Sequence, residues 1–215
     1  MKIILIDYGI GNVKSIINAF DKQKIKVVLS REKELILNAD GLILPGVGAF
    51  SQGMDNLKKY NLISIIEDYV KTSKPLLGIC LGMQLLFEKS EEFGETKGLG
   101  LIEGDVLKIP IDNSQKIKLP HVSWNEIKPK NIDWENTILE NIEVGENMYF
   151  VHTFAGTPKN KNEILSTTNY GGAEFCSSVK KNNIYGCQFH PEKSSKKGLA
   201  IINNFINICS KDVTK

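Results

Sequence analysis

The sequence predicts one α/β domain, with a mainly parallel central sheet flanked by helices and an antiparallel extension after it. Three observations predict it. The first ninety residues alternate short apolar runs with longer amphipathic ones. From Gly104 onward the pattern changes to closely spaced short strands closed by one late helix. The 215 residues, 41% hydrophobic and 24% charged, suffice for a large core without disulfides or metal, and no Pro/Gly/Ser-rich linker divides them.

Residues 3–7, 25–30, Gly41–Leu44 and 75–79 read as buried strands, because each is a continuous apolar run of strand length. Asn12 is placed to cap a helix over 13–22. The stretch 51–70 carries Met54, Leu57, Leu62, Ile65 and Ile66 at helical spacing and is expected to break or bend near Asn61. After Cys80, residues 83–88 begin another helical pattern. Later strands are expected at 105–109, 148–151, 164–168, 174–180 and 184–189, and a helix at 194–209. Lys181-Asn182-Asn183 reads as a hairpin turn, since asparagine tolerates the left-handed conformation. The domain is expected over 1–210, leaving 211–215 as a tail.

Charge and cysteine usage narrow the function classes. The 27 basic and 25 acidic side chains leave a net charge of +2. There is no basic block or basic stripe, so phosphate-backbone binding lacks an electrostatic basis and nucleic acid is not an expected partner. The apolar run at 1–6 is too short for a signal and meets Asp7 where a cleavage site would stand, and nothing approaches the length of a membrane span. No membrane partner is expected. Cys80, Cys176, Cys187 and Cys209 form no Cys-x-x-Cys pair and read as reduced thiols of a cytoplasmic protein. No His/Cys/Asp/Glu cluster has metal spacing, so neither a metal nor another cofactor is expected.

The chemistry concentrates at Gly78-Ile79-Cys80-Leu81-Gly82, between a predicted strand and a helical pattern. Glycines on both sides permit a sharp strand-to-helix elbow that leaves the middle residue strained and exposed to a reactant. From this chain's own Gly and Cys frequencies, such a Gly-x-Cys-x-Gly arises by chance roughly 0.03 times, so it outweighs the alternative of a buried cysteine in a tight turn. A thiol at a helix N-terminus is favoured as thiolate, which is the nucleophilic form. The base it needs is His190, at the end of the last strand. Glu192, two residues on, would project from the same face of an extended chain and orient the imidazole. His121 and His152 lie in apolar strand contexts and read as structural. Gly46-Val47-Gly48 could turn backbone N–H groups inward as an oxyanion hole at Val47 and Gly48, with the Leu81 N–H as its further donor. Tyr8-Gly9-Ile10-Gly11-Asn12 has no phosphate-loop pattern.

Residues 78–84, Pro45-Gly46-Val47-Gly48 and Phe189-His190-Pro191-Glu192-Lys193-Ser194-Ser195 together resemble the class I (triad) glutamine amidotransferases. Asp7 to Asn12, Leu119-Pro120-His121 with Trp124-Asn125, and Tyr149-Phe150-Val151-His152 extend the similarity to the glutaminase subunits of imidazole glycerol phosphate synthase, in histidine biosynthesis. The resemblance implies a flavodoxin-like fold and hydrolysis of glutamine to glutamate and ammonia. It implies a heterodimer with a (β/α)8-barrel synthase subunit, which takes the ammonia directly and makes imidazole glycerol phosphate and AICAR. In that reading Cys80 forms a glutamyl thioester, His190 protonates the departing ammonia and then activates water, and Glu192 orients His190. Gln84, Glu92 and Thr153 would hold the amino-acid end of the substrate. Asn12, Trp124, Tyr149 and Lys193 would face the barrel around the ammonia exit. The Val47 loop would complete the oxyanion hole only when the partner holds its ligand.

The chain departs from the family pattern at Val122-Ser123, where Met-Gly is usual before Trp124, and more mildly at Phe154, where tyrosine is common. Similar glutaminase subunits supply ammonia for amidination of N-acetyl sugars in surface polysaccharide, which is the alternative acceptor. A silent binding or stress-response domain of the same fold and a cysteine peptidase are the alternatives from other classes.

Overall fold

The computed structural model describes residues 1–111, 117–130 and 132–211. It opens with β1 (Ile3–Ile6), α1 (Val13–Asp21), β2 (Val27–Ser30), α2 (Lys33–Leu37), β3 (Gly41–Leu44), α3 (Phe50–Lys59), α4 (Leu62–Lys71), β4 (Leu76–Ile79) and the single turn α5 (Leu81–Gln84). There follow β5 (Phe87–Ser90), β6 (Thr96–Lys97), β7 (Ile102–Lys108), β8 (His121–Glu126), β9 (Lys128–Pro129), β10 (Asn147–His152) and β11 (Phe154–Pro158). The chain closes with β12 (Ile164–Tyr170), β13 (Ala173–Lys181), β14 (Ile184–Cys187) and α6 (Ser195–Lys211). Of the tail expected at 211–215, Lys211 ends α6 and the remainder lies outside the described residues.

An eight-stranded sheet organises the molecule in the order β2-β1-β3-β4-β14-β13-β12-β9. The first five strands are mutually parallel and the last three add antiparallel. β1, β3, β4 and β14 are buried throughout, which explains their apolar sequence, whereas β2, expected as a buried strand, is the edge strand and leaves Val28 and Leu29 exposed. Along β1, Ile3 and Leu5 enter the core beneath α1 and α6, while Ile4 and Ile6 enter the core beneath α3 and α4. All five strands end at the same edge, so the loops after β1, β3, β4 and β14 converge there, the edge where open α/β sheets place their sites.

Local signals account for most boundaries. Asn61 takes the left-handed conformation, φ 55°, and separates α3 from α4, with Met54, Leu57, Leu62, Ile65 and Ile66 buried as the spacing required. Asn182, φ 53°, turns the hairpin between β13 and β14. Asn12 stands at the cap position of α1, but its side chain makes no cap hydrogen bond.

The helical pattern expected at 83–88 is corrected. It stops at Gln84, and Phe87 enters β5. Residues 98–102 capture the backbone there: Leu101 and Ile102 N–H donate to Leu86 O, and Gly98 N–H donates to Glu88 O. Gly156 leaves room for the Phe87 ring, since a Cβ there would meet it at 2.3 Å. This tertiary pairing builds a second, four-stranded sheet, β11-β7-β5-β6, that the local pattern of β5, β6 and β11 does not announce. A two-stranded ribbon pairs β8 with β10, and Tyr149 O on it accepts the His190 N–H beyond the end of β14.

Candidate active site

The elbow between β4 and α5 is tight. Cys80 sits at φ 54°, ψ −111°, a conformation L-residues rarely adopt, and its N–H donates to Cys187 O at 2.7 Å. A Cβ on Gly78 would come within 2.7 Å of Gly82 O, and one on Gly82 within 1.8 Å of Leu44 O. Only glycine fits at either place. Because α5 is one turn long, it supplies little of the dipole expected to favour the thiolate.

β14 runs beside β4 with Cys187 opposite Ile79, so the chain continuing through Gln188 and Phe189 carries His190 to the elbow. The His190 N–H donates to Tyr149 O at 2.9 Å, and its carbonyl accepts from the Ser194 hydroxyl at 2.7 Å. Glu192 meets it by a route other than the one expected. Residues Pro191–Lys193 form a 3-10 turn rather than extended chain, and the turn brings Glu192 Oε1 to 2.8 Å from His190 Nδ1. Both side chains are almost wholly buried. Burial pulls the imidazole pKa down, but the bond to Glu192 and the negative charges of Cys80 and Glu192 outweigh it and raise it to about 10. His190 Nε2 is buried and makes no full hydrogen bond to the described residues.

The loop after β3 lies against the elbow. A Cβ on Gly46 would meet Leu81 Cβ at 2.8 Å and Gly82 N at 3.0 Å. The buried Tyr8 hydroxyl donates to Pro45 O at 2.5 Å. Further along, Val47 is 40% exposed and Gly48, at φ 103°, has open space around it. Gly46 is thus set against Leu81, and Val47 and Gly48 follow it along the loop.

Among the residues expected to hold substrate, Gln84 is buried, and its Nε2 donates to Phe154 O at 2.8 Å and to Gln188 Oε1 at 3.1 Å. Thr153 occupies the bend between β10 and β11, directly before Phe154. Glu92 accepts the Phe50 N–H at 2.7 Å, which sets its carboxylate at the start of α3, beside the Val47–Gly48 loop. Two residues escaped sequence reasoning. Gln188 is fully buried and points its Nε2 at Cys80 Sγ, 3.9 Å away. Its signal is position, two residues before His190 in an extended segment. Tyr8, whose pKa is driven up by burial and by the charge of Cys80, follows β1 and holds the loop through Pro45 O.

On the outer rim, the Trp124 and Tyr149 rings meet edge-on with centroids 5.9 Å apart, and Lys193 Nζ lies 5.8 Å from the Tyr149 centroid. Gly11, before Asn12, packs on Pro45. His121 and His152 are buried and bonded to each other at 3.2 Å, and His152 Nδ1 donates to Phe154 O at 2.8 Å. Desolvation, partly offset by that bond, lowers His152 to about 3, which holds it neutral as a structural group. The other cysteines are buried, and burial pushes Cys176 up to about 12 and Cys187 further. Among the described residues no group of three or more His, Cys, Asp and Glu could hold a metal ion, and no helix is long and apolar enough to cross a membrane.

A family model described as glutamine amidotransferase class-I matches residues 4–209. The chain is 45% identical over 208 residues to "Imidazole glycerol phosphate synthase subunit HisH 1" of Legionella pneumophila (strain Lens), covering 95% of this chain and 98% of that protein. It is 44% identical over 206 residues to "Imidazole glycerol phosphate synthase subunit HisH" of Aquifex aeolicus (strain VF5), covering 95% and 96%. Among solved structures, a putative GMP synthase subunit from Thermoplasma acidophilum superposes with a TM-score of 0.72 at 19% identity, covering 100% of this chain and 96% of that one. At that identity the likeness speaks for the fold alone.

Proposed function

The chain belongs to the class-I glutamine amidotransferase family, and on that premise we propose that it is the glutaminase subunit of imidazole glycerol phosphate synthase. It acts in the cytoplasm, in a heterodimer with a (β/α)8-barrel synthase subunit that uses the ammonia to make imidazole glycerol phosphate and AICAR. The observation that carries the chemistry is the juxtaposition of Cys80, His190 and Glu192 at the carboxyl edge of adjacent parallel strands. The relatives' shared name, at 44–45% identity over 95% of the chain, carries the pathway.

The Cys80 thiolate attacks the side-chain amide carbon of glutamine, and the carbonyl oxygen takes the negative charge. N–H groups of Leu81 and of the Val47–Gly48 loop receive that oxyanion. His190, with its pKa raised to about 10, enters as imidazolium and already holds the proton the departing ammonia requires. A glutamyl thioester remains. Neutral His190 then takes a proton from water as the water attacks the thioester, and glutamate leaves with regeneration of the thiolate. Glu192 holds Nδ1 throughout. Gln84, Glu92 and Thr153 bind the amino-acid end, with the Glu92 carboxylate suited to the ammonium. Trp124, Tyr149, Lys193 and Asn12 face the barrel at the ammonia exit. A peptide flip in the roomy Val47–Gly48 segment, driven by ligand on the partner, completes the oxyanion hole.

The test is ammonia release from glutamine, with and without the co-purifying barrel protein and its ligand. Weak activity alone, strong stimulation in the liganded complex and a loss of about 10⁴-fold or more in Cys80→Ala are expected. Equal rates for wild type and Cys80→Ala would remove the glutaminase reading. Stimulation by an N-acetyl sugar nucleotide instead of an imidazole-pathway ligand would move the acceptor to the sugar-amidination route, the alternative raised by the Val122-Ser123 departure on the rim strand.

A further inference from the structure

Cys80 sets its sulfur among groups that act on the charge there in opposite directions. It is buried, its helix is one turn long, and the Val151 carbonyl lies 4.0 Å from its sulfur, a contact that favours the thiol over the thiolate. The titratable groups facing it are His190 from the chain after β14, Glu192 behind that ring, and the Tyr8 hydroxyl from the chain after β1. Among the described residues, one neutral donor points at the sulfur, the Gln188 amide.

We propose that Gln188 donates an N–H hydrogen bond to the Cys80 thiolate, and that Gln84 fixes the direction of that amide. The proposal deepens the glutaminase reading, whose nucleophile is this thiolate. The orientation follows from a chain of obligations. Phe154 O is a backbone acceptor, so the Gln84 atom 2.8 Å from it is the NH2 group. The second proton of that NH2 needs an acceptor, so the Gln188 atom 3.1 Å away is the carbonyl oxygen. The NH2 of Gln188 is then left facing Sγ, at 3.9 Å. That separation is at the outer range for a donor on sulfur, and it shortens when the sulfur becomes an anion, since charge-assisted bonds are the shorter and stronger ones. A flipped Gln188 would set its carbonyl against the sulfur and its NH2 against that of Gln84, two clashes at once. Gln188 is 0% exposed, so water cannot replace either bond.

Gln84 therefore has a task before substrate arrives. Both protons of its amide are engaged inside the protein, and the group it leaves for the substrate is its carbonyl oxygen, an acceptor for an ammonium.

The experiment is the pH dependence of Cys80 alkylation by iodoacetamide, followed by mass spectrometry on the full chain, for wild type and Gln188→Met. Methionine keeps the length and loses the donor. The expected result is a thiol titration moved up by about one pH unit, making alkylation at neutral pH about tenfold slower. In the liganded complex, kcat for glutamine hydrolysis should fall about tenfold with KM within about threefold. Should Gln188→Met fail to fold, the side-chain amide of Gln188 in the wild-type chain is followed by NMR through the same titration. Its protons should shift with the Cys80 thiol and lose that response in Cys80→Ala. An unmoved titration in folded Gln188→Met, or an amide indifferent to the thiol, overturns the proposal. Neither the alkylation nor the amide titration needs glutamine, so a chain without glutaminase activity would sink the functional reading and leave those two results intact.

Discussion

Two glycine-flanked turns stand side by side at the carboxyl edge of the sheet, and they are built on opposite plans. In the elbow around Cys80, an added Cβ meets backbone atoms at 1.8 Å on Gly82 and 2.7 Å on Gly78. In the loop around Val47, the glycine nearest the elbow, Gly46, is confined less severely, with backbone at 3.0 Å, whereas Gly48 has nothing within 4 Å. The elbow uses glycine because no other residue fits. The far end of the loop uses it for a positive φ, with space on every side. The difference gives rigidity to the elbow with Cys80 and Leu81 and freedom to the Val47–Gly48 segment, so under the proposed mechanism one oxyanion donor is fixed and the other is adjustable.

The largest expected effect comes from filling the confined side. Gly82→Ala drives a methyl group into the backbone at Leu44, which cannot give way without separating β3 from the elbow. A loss of about 3–5 kcal/mol is expected, a fall in Tm on the order of 10 °C for a chain of this size, with activity abolished. A Gly82→Ala chain that melts and works like wild type would mean that the elbow adapts as readily as the loop.

Glu192→Gln tests the rigid side through charge rather than shape. It removes a carboxylate charge 2.8 Å from His190 Nδ1, and with it part of what holds the imidazole proton up to about 10. kcat should fall about 10²- to 10⁴-fold. The sign of the pH effect follows from the direction of the shift. His190 binds its proton more tightly folded than unfolded, so the stability this contributes is complete below about 6.5 and is lost as pH rises through about 10. In the variant, desolvation weighs more, so the alkaline limb of kcat/KM and the alkaline loss of stability both move toward neutral pH. An alkaline limb that stays in place would detach Glu192 from the ring's ionisation.

How much of this was legible in the sequence divides along the same line. The parallel half is written in continuous apolar runs, and β1, β3 and β4 fall within a residue of the stretches that announced them. The elbow is legible because Gly-x-Cys-x-Gly after an apolar run has one local solution. The pairing of His190 with Glu192 is legible from their spacing, although a 3-10 turn, not extended chain, produces it. What the sequence hides is whatever depends on distant backbone. The segment 85–88 has helical periodicity, and residues 98–102 claim its hydrogen bonds. Gln188 reaches Cys80 because β14 lies beside β4, and its direction depends on Gln84 and on Phe154 at the start of β11. No window of sequence contains those three segments.

Gly48→Ala has the smallest expected effect and sharpens the comparison most. The methyl group has room, so no packing is lost; the cost is backbone strain at φ 103°, about 1–2 kcal/mol for an L-residue held there. That cost falls on the arrangement seen in the structure. A flipped loop with negative φ at residue 48 would be relieved of it, and its population would rise about 5- to 30-fold, since 1.4 kcal/mol is a factor of ten. Basal ammonia release without the partner's ligand should rise on the order of tenfold, and the stimulated rate should change by less than about threefold, so that the two rates converge. The Tm should drop by a few degrees at most. If instead both rates fall together, the competent loop also needs a positive φ at Gly48, and the adjustable peptide is the one before Val47, closer to the rigid elbow than the open space suggests.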